Sequence, residues 1–380
     1  MQHITRHILV RIKERIRPNK VIILFGARRV GKTELLNEII SDLDQSKVLL
    51  MNGEDQFTIN LLSKRSISHY KQLTQSKDFL IIDEAQHIPE IGQVLKLMVD
   101  EIKGLHIIVT GSSVFDLSNK LGEPLVGRQI QFQLFPLAQM EFNNYENIIE
   151  THALLENRLI YGGYPELIHL ETKEEKQEYL EGLVNAYLLK DILAFNGIKK
   201  ADKLIDLLRL VAMQIGSEVS LEELASNLKG ISRNTVEIYL DLLEKVFVIY
   251  KVGGFSRNLR KEIVKTSRYY FFDNGIRNAI IKNFNPLNYR IDIGQIWENY
   301  LMSERLKRNH YKNYRVNKYF WRTYDQQEID LVEEIDGKLS GFEFKWNPKK
   351  LSKPPKAWTK HYPDADFEII NNENFIAFVS

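Results

Sequence analysis

GARRVGKT, residues 26–33, is the stretch that decides how this 380-residue chain is interpreted. It fits the pattern G-x-x-x-x-G-K-[ST], in which glycines let backbone N–H groups turn inward around phosphate oxygens. The apolar run 20–25 (KVIILF) precedes it, and 34–43 (ELLNEIISDL), with helical spacing of Leu and Ile, follows it. Because a strand before the loop and a helix after it are the required context, the stretch predicts a P-loop.

This loop predicts ATP and Mg²⁺ as cofactors. We expect Lys32 to reach the β- and γ-phosphates and Thr33 to offer its hydroxyl to Mg²⁺. The amino terminus of the helix that begins here adds a partial positive charge. The predicted cofactor-binding residues are Gly26, Ala27, Arg28, Arg29, Val30, Gly31, Lys32, Thr33 and, from a later strand, Ser112.

The run LIIDE (80–84) predicts the catalytic acids. Asp83 ends an apolar strand, where it can hold Mg²⁺ directly or through water, and Glu84 follows in position to polarise the attacking water. Solvated acids at a strand end would look the same in isolation. Fifty residues after a P-loop, the pair predicts an ATPase that hydrolyses ATP and does not merely hold it.

Two further positions have open alternatives. A hydroxyl in TGSS (110–113), Ser112 among them, can contact the γ-phosphate or the lytic water, or the segment is an ordinary turn. Arg128 is a candidate arginine finger that contacts the γ-phosphate bound by its own chain or by a neighbouring copy. Action on a neighbouring copy would imply a homo-oligomer. A surface arginine in an ion pair is the alternative for Arg128.

Composition adds limits to this interpretation. The 52 basic and 50 acidic side chains nearly cancel, so a nucleic-acid partner must be bound by local patches. Cysteine is absent, which excludes disulfides and zinc–cysteine sites. The basic, amphipathic start predicts a helix packed on the first domain. Because no apolar run reaches the ~18 residues of a membrane span, we expect no membrane partner and a cytoplasmic location.

In this order, GARRVGKTELL, FLIIDEAQ, TGSS, LVGR and YGGYPE resemble the predicted AAA+-superfamily ATPases that carry a C-terminal domain of unknown function. The resemblance covers almost the whole chain. It implies Walker A residues at Lys32 and Thr33, a Walker B pair at Asp83 and Glu84, and the arginine after the sensor strand at Arg128. The sensor position departs from the family, because Ser or Thr stands where many AAA+ proteins have Asn.

The middle of the chain predicts a winged helix. Ser220 and Ser232 each begin a helix, and two β-rich runs joined by a basic loop follow. In the functional interpretation, the helix from Ser232 enters a major groove of double-stranded DNA. The predicted DNA contacts are Arg233, Asn234, Arg257, Arg260 and Lys261, with Arg268 at the end of the basic loop as a further phosphate contact. A packing or protein-contact module is the alternative.

Four residues near the end predict a metal nuclease. Glu298 lies on a helix, Asp330 on a strand, and Glu343 and Lys345 on the next strand, where alternate side chains share one face. The three carboxylates are predicted metal ligands, and Lys345 would orient the nucleophilic water. Helix Glu, Asp and Glu-x-Lys in this order resemble the PD-(D/E)xK nuclease superfamily. The alternatives are a solvated hairpin, or the same fold serving only to bind DNA or a protein.

The predicted fold class is therefore α/β, with four segments. They are an AAA+-type P-loop core with a parallel sheet (1–145), a helical lid (146–202), a winged helix (203–280) and an α+β nuclease-like domain (281–380). The expected function is an ATPase that acts on or binds DNA. The alternative is a nucleotide-dependent switch that binds a protein partner through an inactive nuclease-like domain.

Overall fold

The computed structural model describes residues 4–112, 125–185, 200–256, 267–350 and 352–380. The chain divides into two compact units. The first, which we call the nucleotide unit, comprises residues 5–135 with 245–247. The second, which we call the C-terminal unit, comprises residues 1–4, 136–244 and 248–380.

A five-stranded parallel sheet forms the centre of the nucleotide unit, in the order β2-β3-β4-β1-β5. Its central strands are almost entirely buried, as is typical of a parallel sheet covered on both faces. This confirms the predicted α/β fold with a parallel sheet. The strands are β1 (Val21–Phe25), β2 (Val48–Asn52), β3 (Phe79–Asp83), β4 (His106–Gly111) and β5 (Gln129–Gln133).

The described helices of the nucleotide unit precede or connect its strands in sequence. They are α1 (Ile8–Arg15), α2 (Lys32–Ser41), α3 (Gln56–Leu62), α4 (Ile67–Leu73) and α5 (Ile91–Glu101). The first is the predicted amphipathic helix, since it buries Ile8, Leu9 and Ile12, leaves Arg11 and Lys13 half-buried and exposes Arg15. The second begins at Lys32, so the P-loop runs directly into a helix amino terminus.

A seven-stranded mixed sheet forms the centre of the C-terminal unit, in the order β12-β11-β10-β9-β7-β8-β6. The strands β7 and β9 pair in parallel, with Gly253 opposite Tyr319. The predicted boundary at residue 280 is therefore not a break between sheets. The strands are β6 (Glu218–Val219), β7 (Ile249–Gly254), β8 (Ser267–Phe271), β9 (Asn317–Arg322), β10 (Glu328–Ile335), β11 (Lys338–Phe344) and β12 (Asp366–Ile370).

The described helices of this unit lie before, between and after those strands. They are α6 (Gln139–Phe142), α7 (Ile148–Tyr161), α8 (Lys173–Leu183), α9 (Ala201–Met213), α10 (Leu221–Leu228), α11 (Arg233–Lys245), α12 (Asn274–Ile280), α13 (Ile293–Tyr311), α14 (Lys356–His361) and α15 (Phe375–Val379). The predicted lid helices α7 and α8 both pack against α12. They therefore belong to the C-terminal unit rather than to the nucleotide unit.

The glycine pair after α7 explains this packing. Gly162 has φ +79° and ψ −156°, a conformation open essentially to glycine alone. The N–H of Gly163 donates to the Asp273 carboxylate at 2.7 Å, and Asp273 also caps α12. Asn278 donates to the last carbonyls of α7, and a Cβ on Gly275 would lie 1.9 Å from a backbone oxygen of α7. The Gly162-Gly163 turn and the first turn of α12, which contains Gly275, thus form one tight junction.

Across the parts of the chain that the structure describes, no helix is both long enough and apolar enough to cross a membrane.

Candidate functional site

The P-loop connects the carboxyl end of β1 to α2. Gly31 has φ +94°, a left-handed conformation that favours glycine. Gly26 has no room for a side chain, because an added Cβ would lie 2.4 Å from the backbone oxygen of Leu134. The two glycines of the motif are thus required by backbone shape, as expected of a P-loop.

A buried arginine that belongs to no sequence motif holds the backbone of the P-loop in place. Arg6 donates to the backbone oxygen of Val30 at 2.7 Å and to that of Phe135 at 2.6 Å. One guanidinium therefore joins the P-loop to the segment that follows β5. Arg6 lies before any recognisable motif, so only the three-dimensional fold connects it with the loop.

Thr33 and Asp83 lie in contact at the carboxyl edge of the sheet. The Thr33 hydroxyl donates to Asp83 Oδ2 at 2.8 Å, across fifty residues of sequence. Asp83 also accepts a hydrogen bond from Thr110, at the end of the adjacent strand β4. P-loop proteins bind Mg²⁺ through a hydroxyl oxygen and a carboxylate oxygen that lie close together. Thr33 and Asp83 therefore fit the predicted ion.

Lys32 is buried and points into the mouth of the loop. Its ammonium group donates to the backbone oxygens of Gly26 and Ala27 at 3.0 and 3.1 Å. The same nitrogen lies 4.0 Å from Glu84 Oε1. The predicted phosphate-contacting cation and the predicted catalytic acid are therefore neighbours on the same side of the loop.

Glu84 is held by backbone and side-chain contacts. Its φ of +51° is left-handed, and its N–H donates to the Thr110 hydroxyl at 3.0 Å. Gln86 donates to Glu84 Oε2 at 2.5 Å and to the Ser112 hydroxyl at 3.2 Å. Ser112 thus reaches Glu84 through Gln86. Thr110 and Gln86 carry positioning contacts that sequence reasoning did not assign to them.

Arg128 does not lie near this edge. It precedes β5, and its backbone oxygen accepts from Val21, at the amino end of β1. The P-loop follows the opposite end of β1, roughly 13 Å of strand away at ~3.3 Å per residue. Arg128 pairs with Asp100 at 2.6 Å. The prediction that it acts on the ATP of its own P-loop is therefore wrong, whereas action on a neighbouring copy stays a prediction.

The four predicted nuclease residues occupy one region of the C-terminal unit. Asp330 lies at a bulge of β10, and the pairing of Leu331 with Phe342 sets Asp330 opposite Glu343. Asp330 accepts from the Phe344 N–H at 2.7 Å, and Lys345 contacts Glu343 at 2.5 Å. Burial raises the pKa of Glu298 to about 7, while nearby Arg268 opposes the shift.

The predicted metal centre is not supported by this arrangement. Among the described residues, no group of three or more His, Asp or Glu side chains is arranged to hold a metal ion. Arg268 lies among these carboxylates. Its guanidinium lies 3.7 Å from Glu298, 3.9 Å from Asp330 and 3.0 Å from Glu328. The expectation that Arg268 contacts DNA phosphates is also wrong, because only 3% of the residue is exposed.

Apart from Arg268, the described residues of the predicted DNA surface are exposed. Arg233 and Asn234 lie in the first turn of α11, and Arg233 pairs with the exposed Glu222 at 2.9 Å. Ser232 accepts from the Thr235 N–H at 3.2 Å, as the predicted cap requires. The other predicted contacts, Arg257, Arg260 and Lys261, lie outside the described residues.

Three family models match consecutive parts of the chain. Residues 18–143 match the AAA domain, residues 152–287 match a domain of unknown function (DUF8612), and residues 293–375 match another domain of unknown function (DUF4143). The AAA match covers the P-loop, Asp83, Glu84 and Arg128. Together with the geometry described above, this match supports a nucleotide-binding ATPase domain.

Relatives along most of the chain are themselves uncharacterized. A protein of Methanocaldococcus jannaschii is 25% identical, over 95% of this chain and 82% of the relative. A protein of Haemophilus influenzae is 25% identical, over 82% of this chain and 78% of the relative. Another, of Mycobacterium tuberculosis, is 24% identical, over 90% of this chain and 73% of the relative.

Domain III of the Thermotoga maritima replication initiation protein DnaA is a structural match with a TM-score of 0.29 and 16% identity, covering 63% of this chain and 90% of that one. Residues 18–143 of this chain therefore form an AAA-type P-loop domain, and residues 293–375 match a domain of unknown function.

Proposed function

We propose that this protein binds Mg²⁺–ATP at residues 26–33 and hydrolyses it, and that turnover is coupled to duplex DNA. The contact of Thr33 with Asp83 at 2.8 Å, beside Glu84, carries the proposal. It brings an ion-binding pair and a catalytic acid to the mouth of one phosphate-binding loop. P-loop ATPases need this combination, because their catalysis is mostly positioning and charge stabilisation.

Each side chain has a distinct role in this proposal. Lys32 would contact the phosphates, and Thr33 and Asp83 would hold Mg²⁺, which supplies charge neutralisation on the phosphate oxygens when bound. Glu84 would accept a proton from the attacking water, while Gln86 positions its carboxylate. Arg6 supports the shape of the loop through the backbone of Val30.

We expect Lys32→Ala to weaken ATP binding. A hydrogen bond to a charged group contributes roughly 1.5–3 kcal/mol, so the dissociation constant should rise about ten- to hundredfold. Calorimetric titration of ATP with Mg²⁺ present measures the change. Lys13→Ala is a matched control, because Lys13 is a lysine of the same unit that pairs with Asp42 on the surface. Equal affinities for Lys32→Ala and the wild type would rule out the role of Lys32.

The order of elements in residues 201–271 supports a DNA-binding module. In chain order the elements are α9, β6, α10, α11, β7 and β8. The three strands pair in the order β7-β8-β6. Helix, strand, two helices and a hairpin are the elements of a winged helix. The exposed first turn of α11 would then enter the major groove.

A protein partner is the second candidate, and the exposed face of α11 favours it. Glu237 and Asp241 are exposed there, and Ile238 is 58% exposed. Acidic side chains repel DNA phosphates, whereas an exposed isoleucine gains by packing on another protein. These residues distinguish this face from a uniformly basic DNA-binding helix.

The rate of ATP hydrolysis with and without duplex DNA separates the two candidates. If DNA is the partner, saturating duplex should stimulate phosphate release by the wild type. A rate that is indifferent to duplex DNA at low salt would favour the protein partner.

We expect Arg233→Ala to reduce the salt dependence of duplex binding. Loss of one phosphate contact lowers the slope of log affinity against log salt by about 0.9. Fluorescence anisotropy of a labelled duplex over a salt series measures this slope. The matched control is Arg209→Ala, since Arg209 is similarly exposed and carboxylate-paired but lies on α9. Identical slopes for Arg233→Ala and wild type would remove this turn from the DNA surface.

The C-terminal segment supports a nuclease-like fold. The helix α13, the strands β9 to β11, the helix α14 and the strand β12 follow one another, and they bring the predicted residues together. Cleavage is not part of the proposed function, because no group of three or more His, Asp or Glu side chains among the described residues is arranged to hold a metal ion. This agrees with a domain that binds a partner without cutting it.

A further inference from the structure

The acidic cluster of the C-terminal unit is enclosed on several sides. Glu298 keeps 16% of its side chain exposed and Asp330 keeps 10%. Tyr270 donates to Glu298 Oε1 at 2.7 Å. On another side, Gly216 lies so close that an added Cβ would be 2.9 Å from the same oxygen. Carboxylates gathered in such a place repel one another and need a cation.

Arg268 supplies that cation from outside the segment that carries the carboxylates. It lies on β8, whereas Glu298 lies on α13, and Asp330 and Glu328 lie on β10. One face of its guanidinium stacks over Phe320 at 4.5 Å. Burial favours the neutral form, but Tyr270 and the carboxylates raise the pKa of Arg268, so it remains charged.

We propose that the guanidinium of Arg268 takes the place of a divalent metal ion in this cluster, so that the C-terminal domain contains an internal cation and binds no metal there. The distances of 3.0–3.9 Å from the guanidinium nitrogens to three carboxylates carry the proposal. Mg²⁺ needs oxygen ligands at about 2.0–2.1 Å in octahedral geometry. A second cation among the same oxygens would be repelled by the first.

Lys345 reinforces the exclusion of metal. It contacts Glu343 at 2.5 Å, so the carboxylate opposite Asp330 is also paired with a cation of the chain. In an active metal nuclease this carboxylate would be a metal ligand. Here Arg268 and Lys345 form ion pairs with the carboxylates that would otherwise bind a metal ion. This explains why the catalytic residue types are present without a metal site.

Mn²⁺ titration monitored by electron paramagnetic resonance tests the proposal. The experiment uses the full chain without nucleotide and compares wild type with Asp330→Asn, so that Mn²⁺ bound at the P-loop cancels. We expect the two proteins to bind Mn²⁺ identically. If the wild type binds a Mn²⁺ ion that the Asp330→Asn variant does not bind, the proposal is overturned, whatever the behaviour of the other variants.

Replacing Arg268 should create the metal site. Arg268→Gln keeps a long polar side chain and removes the charge, so we expect Mn²⁺ binding to tighten about ten- to hundredfold, a gain lost again in Arg268→Gln/Asp330→Asn. Arg268→Lys, which keeps the charge, is the matched control and should bind as the wild type does. Folded Arg268→Gln without added Mn²⁺ affinity would overturn the proposal, and thermal melts establish that the variants are folded.

Discussion

Glu84→Gln is expected to retain ATP binding and to lose hydrolysis almost completely. The amide is close to isosteric with the carboxylate but cannot accept a proton from water, and general-base catalysis contributes about 10²–10⁴-fold. Because Glu84 is fixed by its left-handed backbone, by Thr110 and by Gln86, the substitution should leave the loop in place. The turnover number from phosphate release should therefore fall by about this factor.

Two accompanying measurements make this result specific. Calorimetry should give an ATP dissociation constant for Glu84→Gln within a few fold of the wild type. Glu101→Gln is the control, because Glu101 is an exposed glutamate at the end of α5 in the same unit. Wild-type turnover in Glu84→Gln would show that another group activates the water.

Gly162→Ala is expected to destabilise the C-terminal unit severely. At φ +79° an alanine is strained by about 1–3 kcal/mol. Its Cβ would also lie 2.0 Å from Asp273 Oδ1. The Asp273 carboxylate, which accepts a hydrogen bond from the Gly163 N–H and caps α12, would therefore have to move. Together these effects should lower the free energy of unfolding by about 3 kcal/mol or more. Urea unfolding followed by circular dichroism measures the loss.

Gly182→Ala is the matched control for this substitution. Gly182 is the second-last residue of α8, and an added Cβ would meet nothing within 4 Å. Because alanine is preferred to glycine in helices, by about 0.8–1.0 kcal/mol at interior positions, this variant should be at least as stable as the wild type. A Gly162→Ala variant that unfolds at the wild-type urea concentration would mean that the junction with Asp273 contributes little.

The nucleotide unit was predictable from sequence because its signals are local. The sequence contains the apolar runs 20–25, 47–52, 78–83 and 105–111, and each matches an observed strand, 21–25, 48–52, 79–83 and 106–111, to within a residue. The P-loop and the Asp83-Glu84 pair then follow from which strand end each motif occupies. The sequence does not show Arg6, because its contacts with Val30 and Phe135 depend on the folded chain.

The C-terminal unit was harder to predict because its decisive contacts link distant residues. The Gly162-Gly163 turn is visible as a break in a helical pattern, but its partner Asp273 lies 110 residues later. Arg268 stands among basic residues of a loop, which favours a phosphate-contact interpretation. Only the pairing of β7 with β9 brings β8 into one sheet with β10 and turns Arg268 toward buried carboxylates.

The most direct test of the account is steady-state phosphate release by the wild type with ATP and Mg²⁺, measured with and without duplex DNA. The account predicts many turnovers per chain, lost when Mg²⁺ is chelated. Glu84→Gln, examined in parallel, should release almost no phosphate. A wild-type protein that binds ATP but releases no more than about one phosphate per chain under either condition would contradict the proposed ATPase.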